Sequence, residues 1–112
     1  MKVYSLTLDL KDDPALIQEY EQHHKQVWPE ILRSIKDAGI QNMQIYRYAT
    51  RLFMVITAAD DFSFEQKDAA DRANKKVQEW EELMWKYQAP LKTAPEGAKW
   101  VLMDKIFELS GH

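Results

Sequence analysis

An α+β fold with the element order β-α-β-β-α-β follows from three patterns in this 112-residue sequence. Residues 3–10 and 42–48 alternate along the chain, as half-buried strands do. Two longer stretches repeat apolar residues at steps of three and four, as amphipathic helices do. A strand apolar on both faces and a last alternating segment complete the order. This is the ferredoxin-like arrangement, in which both helices cover one face of a four-stranded antiparallel sheet.

The first strand places Tyr4, Leu6, Leu8 and Leu10 on one face and Val3, Ser5, Thr7 and Asp9 on the other. Asp12-Asp13-Pro14 then starts a helix, with Asp13 as N-cap and Pro14 at its first position. The helical stretch runs to about Ala38-Gly39. Its apolar stripe is Leu16, Tyr20, His24, Val27, Ile31 and Ile35, at steps of 4, 4, 3, 4 and 4. Pro29 falls inside it and should kink or divide the helix near Trp28. Gly39 suits the position just past the helix end.

Residues 42–48 and 51–58 read as two strands joined by a short turn at Ala49-Thr50. In the first, Met43, Ile45 and Arg47 oppose Gln44, Tyr46 and Tyr48. In the second, the run Leu52-Phe53-Met54-Val55-Ile56 is apolar on both faces, which implies cover on both sides. Asp60-Asp61 should cap a second helical stretch reaching about Tyr87. Its stripe is Ala69, Ala73, Val77, Trp80, Met84 and Tyr87. Pro90 and Pro95-Glu96-Gly97 mark a loop. A last strand is expected over 99–109, with Val101, Met103 and Phe107 opposite Trp100, Leu102 and Ile106.

With both helices on one face, the other face of the sheet is left bare and apolar. A second copy of the chain is the simplest cover. A homodimer with the sheets face to face is therefore expected, burying on the order of 1,200–2,000 Å² or more.

Composition narrows the function. The length suits one domain, residues 1–112. There are no cysteines, which removes thiolate metal sites and cysteine nucleophiles. The net charge is −3 without a basic tract, which disfavours nucleic acid. The longest apolar run, Leu52 to Ile56, is too short to span a membrane. No apolar leader precedes the first strand, so a cytoplasmic protein is expected. Three glycines cannot build a phosphate-cradling loop or a dinucleotide fingerprint. Four tryptophans are many for so small a core, so some should line a pocket or an interface.

The segment from Glu19 to Glu30 holds two of the three histidines. Tyr20 and His24, four residues apart on the inward stripe, project side by side. His23 lies about 100° around the helix and should point more toward solvent. His24 is either a satisfied core histidine or an acid/base in a pocket between helix and sheet. Adjacent His23 and His24 diverge and cannot readily share an ion, and no second histidine follows at i+4. No metal site is therefore expected. In the later helix, Trp80 lies on the inward stripe, Glu79 and Glu82 read as a solvated face, and Glu81 sits near the stripe edge.

Tyr20-x-x-x-His24-x-x-x-Trp28-Pro29-Glu30, then Asn42, Ile45-Tyr46 and Gln78-x-Trp80, resemble the L-rhamnose mutarotase family from Val3 to Leu109. The resemblance implies a dimeric α+β barrel that interconverts the anomers of a 6-deoxy sugar without a cofactor. It places the catalytic proton donor on His24 and sugar-binding residues on Tyr20 and Trp80. Two positions depart from the family pattern. Met43 stands where a second tyrosine is expected, and Glu81 where a second tryptophan is expected. Both belong to the part that would grip the sugar, so L-fucose is a candidate beside L-rhamnose, and Glu81 could accept bonds from sugar hydroxyls. The base that complements His24 stays open between Tyr20, a carboxylate and water. Two other readings stay open as well: a cofactor-free monooxygenase of aromatic polyketides on the same barrel, and a binding module without turnover. Trp28 is expected to shape the helix kink, and Trp85 and Trp100 to serve the scaffold or the dimer contact.

Overall fold

The computed structural model describes residues 1–95 and 99–111. Glu96 and Gly97 of the expected loop, and the terminal His112, lie outside the described residues. Strand β1 spans Lys2–Leu10, helix α1 Pro14–His23, helix α2 Pro29–Asp37, β2 Ile40–Tyr48 and β3 Arg51–Ala58. Helix α3 spans Phe64–Arg72 and α4 Lys75–Trp85. Two short strands follow, β4 at Gln88–Ala89 and β5 at Val101–Leu102. The sheet runs β2-β3-β1-β4, with β5 also paired to β1. All pairings are antiparallel. This is the ferredoxin-like order, with β4 and β5 sharing the place of the last strand.

The first helical stretch is divided at Pro29. Pro29 lacks an N–H and suits the first helical position. It also drives the residue before it out of the helical region, and Trp28 accordingly sits at φ −56°, ψ 136°. Asp13 caps α1 as expected, accepting from the N–H groups of Ala15 at 3.0 Å and Leu16 at 3.3 Å. Gly39 has φ +95°, the left-handed turn that ends α2.

The second helical stretch is also divided, which the stripe did not suggest. Asn74 ends its continuity by capping α4, its side chain accepting from Lys76 N–H at 3.0 Å and Val77 N–H at 3.2 Å. Val77, Trp80, Met84 and Tyr87 are buried as the stripe requires. Ala69 and Ala73, ahead of the break, are exposed. The cap of α3 is Ser63, two residues beyond the expected Asp60-Asp61.

The expected strand over 99–109 is present only as Val101–Leu102, extended by Met103 N–H donating to Ser5 C=O at 2.8 Å. Beyond that point the segment leaves the sheet. Ile106 is 95% exposed and Phe107 63%.

Leu6, Leu8, Leu10, Leu52, Met54, Ile56 and Ala58 form the buried sheet face under the helices. Tyr20, Ile31, Val77, Trp80, Met84 and Tyr87 close it from the helix side. Trp100 packs against both halves of this core, while Trp85 is partly exposed. On the opposite face, Val3, Phe53, Val55 and Tyr46 remain at least partly open to solvent. Among the described residues, no helix is long and apolar enough to cross a membrane.

Candidate active site

The break between α1 and α2 leaves His24 as the C-cap of α1. Its Nδ1 donates to the backbone carbonyl of Tyr20, one turn earlier, at 2.8 Å. A carbonyl only accepts, so Nδ1 carries the hydrogen and the neutral ring keeps its lone pair on Nε2. Burial holds the His24 pKa below the ordinary 6.5; the Tyr20 carbonyl opposes this and His23 adds to it. At neutral pH the ring is uncharged and Nε2 is an acceptor.

Tyr20 and Trp80 flank this ring. The Tyr20 ring lies 4.4 Å from it between centroids, inclined at 31°. Trp80 meets it edge-on at 5.7 Å. Trp28, which ends the break, packs edge-on against Trp80 at 5.1 Å. The Tyr20 phenol is pushed above its ordinary pKa of 10.0 by burial, which a hydrogen bond from Gln88 opposes. Gln88 Nε2 donates to Tyr20 Oη at 3.4 Å. The Tyr20 oxygen thus accepts from Gln88 and keeps its own hydrogen to donate. Gln88 is 4% exposed, and its Oε1 has no partner among the described residues. His23 is half-buried rather than turned to solvent, because Nε2 sits 3.0 Å from Tyr87 Oη.

A cavity of about 430 Å³ opens beside Tyr20 and His24, within the ~300–1,000 Å³ usual for small-molecule sites. Glu21 and Lys25 join them from the α1 side. Ile45, Tyr46, Arg47 and Leu52 line it from β2 and β3. The structure therefore brings Tyr20 and His24 together in one cavity. Trp80 stands behind His24 and is not among the lining residues.

Met43 and Glu81 are elsewhere. Met43 packs with Met54, Ile56 and Phe62 in the other half of the core. Glu81 is on α4, where its backbone carbonyl accepts from Lys99 Nζ at 2.9 Å. Sequence reasoning missed Glu21, Arg47 and Gln88. For Arg47 a signal existed: it shares a strand face with Met43 and Ile45, where a charge is out of pattern. For Gln88 there was none, since it falls where a helix runs into a loop. Among the described residues, no three His, Asp or Glu side chains are grouped to hold a metal ion.

Comparisons with known proteins place the chain in a family. The family model for L-rhamnose mutarotase matches residues 3–109. An L-fucose mutarotase of Xanthomonas campestris pv. campestris is 42% identical over 105 residues, 92% of this chain and 84% of that protein. The crystal structure of an L-rhamnose mutarotase from Formosa agariphila superposes with a TM-score of 0.71 at 19% identity, covering 97% of this chain and 99% of the other. Tetracenomycin F2 cyclase from Streptomyces glaucescens, a type-II polyketide cyclase, superposes with a TM-score of 0.64 at 18% identity, covering 96% of each chain. At those identities the two structures speak for the fold alone. The family match and the Xanthomonas relative go further: this chain belongs to the L-rhamnose mutarotase family and is an isomerase of the mutarotase class.

Proposed function

We propose that the enzyme interconverts the α and β anomers of a 6-deoxy-L-hexose, L-fucose first and L-rhamnose second. The name of the Xanthomonas relative and its 42% identity support L-fucose. The observation that carries the chemistry is the His24–Tyr20 pair, a neutral imidazole and a protonated phenol beside one cavity.

The pair supplies one base and one acid. In this reading His24, the expected proton donor, acts first as the base because its resting ring is neutral: Nε2 takes the proton of the anomeric hydroxyl. Tyr20 gives its proton to the ring oxygen, and the bond between C1 and that oxygen breaks. The open-chain aldehyde turns about its C1–C2 bond, and the hydroxyl adds to the other carbonyl face. His24, now an imidazolium, returns its proton to the anomeric oxygen, and Tyr20 recovers its own. Acid–base catalysis of this kind contributes about 10²–10⁴-fold. Trp80, in this reading, holds His24 against Tyr20. Saturation-transfer NMR tests it: His24→Ala should remove catalysed anomer exchange while circular dichroism stays native. Exchange at the wild-type rate in His24→Ala would remove this mechanism.

We further propose a homodimer joined through the open sheet face. The half-exposed Phe53 and Val55 there, with Val3 and Tyr46, support it, as do the exposed Ile106 and Phe107. Sedimentation should give a dimer at micromolar concentration, and Val55→Asp a monomer. A wild-type monomer at that concentration contradicts it.

A further inference from the structure

The cavity beside His24 has a charged rim. Glu21 follows Tyr20 on α1, and Arg47 lies on β2. The Arg47 Nε donates to Glu21 Oε1 in an ion pair that links the two elements. Both side chains also line a neighbouring hollow of about 360 Å³, reached by Pro14 and Ile17 of α1 and by the Ala49-Thr50 turn. The pair is therefore the wall between the two spaces.

Its energetics do not explain its presence. The Arg47 side chain is 37% exposed and that of Glu21 49%. Exposed pairs contribute about 0–1 kcal/mol. An arginine in the register of Met43 and Ile45 also displaces an apolar residue from the helix-facing side of the sheet. What the pair does provide is fixed orientation. Arg47 Nη1 donates to the Ala49 carbonyl at 2.8 Å, and Nε is held by Glu21, so the guanidinium plane is set at two points. A guanidinium has five N–H donors, and the two bonds leave N–H groups over for a ligand. The Glu21 carboxylate likewise keeps acceptor capacity.

Beside Arg47 on the same face of the sheet, Ile45 and Leu52 are apolar. A 6-deoxyhexose has the matching division, with a methyl group and C–H faces against a belt of hydroxyls. One hydroxyl can donate to a carboxylate while its neighbour accepts from a guanidinium. We propose that Glu21 and Arg47 are the specificity element of this site, reading the configuration of the sugar hydroxyls away from the anomeric centre. L-Fucose and L-rhamnose differ in configuration at C2 and C4, so a fixed donor–acceptor pair satisfies one and leaves the other with an unmatched hydroxyl. Sites built to hydrogen-bond a substrate hydroxyl reject analogues that fail to supply it. The inference rests on the mutarotase reading of the same cavity.

The test is the ratio of kcat/KM for L-fucose to that for L-rhamnose, from saturation-transfer NMR on the wild-type protein, Arg47→Leu, Arg47→Lys and Glu21→Gln. Arg47→Leu and Glu21→Gln should each change the ratio tenfold or more, the loss of one charged hydrogen bond. Arg47→Lys keeps the charge without the fork and should fall between. A pair that merely ties α1 to the turn would lower both sugars equally. A ratio within twofold of wild type in all the folded variants overturns the proposal and leaves the mutarotase reading standing. Wild-type protein that exchanges neither sugar overturns both. Glu21→Gln is nearly isosteric at an exposed position, so it reports even where Arg47→Leu does not fold.

Discussion

His24 Nδ1 donates to the carbonyl of Tyr20, the residue whose ring stacks beside its own. One side chain thus orients the other, and the same bond fixes which imidazole nitrogen faces the reaction. The exchange rate should therefore depend on pH through His24 as the solution turns mildly acidic. Neutral His24 is the active base, so the rate falls as pH drops through its pKa, which lies below 6.5. A rate profile whose acid limb had its midpoint above 6.5 would contradict this.

Stability should follow the same group. The folded-state pKa of His24 is depressed relative to 6.5, so the unfolded chain binds more protons between the two values. The stability present above pH 6.5 is lost as pH falls toward the folded pKa. Urea midpoints measured from pH 7.5 to pH 5 should decline, and His24→Gln should flatten the decline.

Tyr20→Phe should destabilise the fold by about 1–3 kcal/mol, because both ends of the buried Gln88 amide then lack a partner. Adding Gln88→Met should recover much of that loss, since an apolar pair replaces a half-satisfied polar one. Urea titration of the two single variants and the double variant gives the coupling energy.

Trp80→Ala should cost about 3–5 kcal/mol, the range for truncating a buried tryptophan. It removes the surface that Trp28 and His24 both pack against. Trp80→Phe should cost less and keep measurable exchange. Equal losses in the two variants, by thermal melt and by NMR, would show that the ring does not position His24.

Asn74→Ala should cost about 1 kcal/mol by leaving Lys76 and Val77 N–H groups uncapped. Anomer exchange should hardly change, since Asn74 does not line the cavity. A denaturation midpoint equal to wild type would show that solvent caps the helix as well.

Much of this architecture was legible because period and face are local properties. The Leu6-Leu8-Leu10 alternation, the Tyr20–His24 spacing and the Pro29 break each depend on a few neighbouring residues. The break at Asn74 was harder to see, because an asparagine within a helical stripe reads as a surface residue until its side chain turns back on Val77. Residues 103–109 alternate like a strand, yet alternation cannot say whether the segment stays on the sheet. The placement of Met43 away from His24 was hidden for a similar reason. Periodicity gives its face, and only the crossing of α1 over the sheet decides that Ile45 and Arg47, one step along, meet the cavity. Gln88 was invisible because a two-residue strand has no period.

The division at Pro29 has an electrostatic consequence. Helix α1 stops at His23, so the negative end of its dipole lies beside the His24 ring, where the Tyr20 carbonyl accepts from Nδ1. That end of a helix carries a partial negative charge, which favours a nearby cation by about 0.3–1 kcal/mol when exposed and up to ~2 when partly buried. The resting ring is neutral and gains little from it. The imidazolium formed when the anomeric proton arrives gains all of it, so the field of the helix acts chiefly on the charged intermediate. An uninterrupted helix would place His24 in mid-segment, away from the end where that field is strongest.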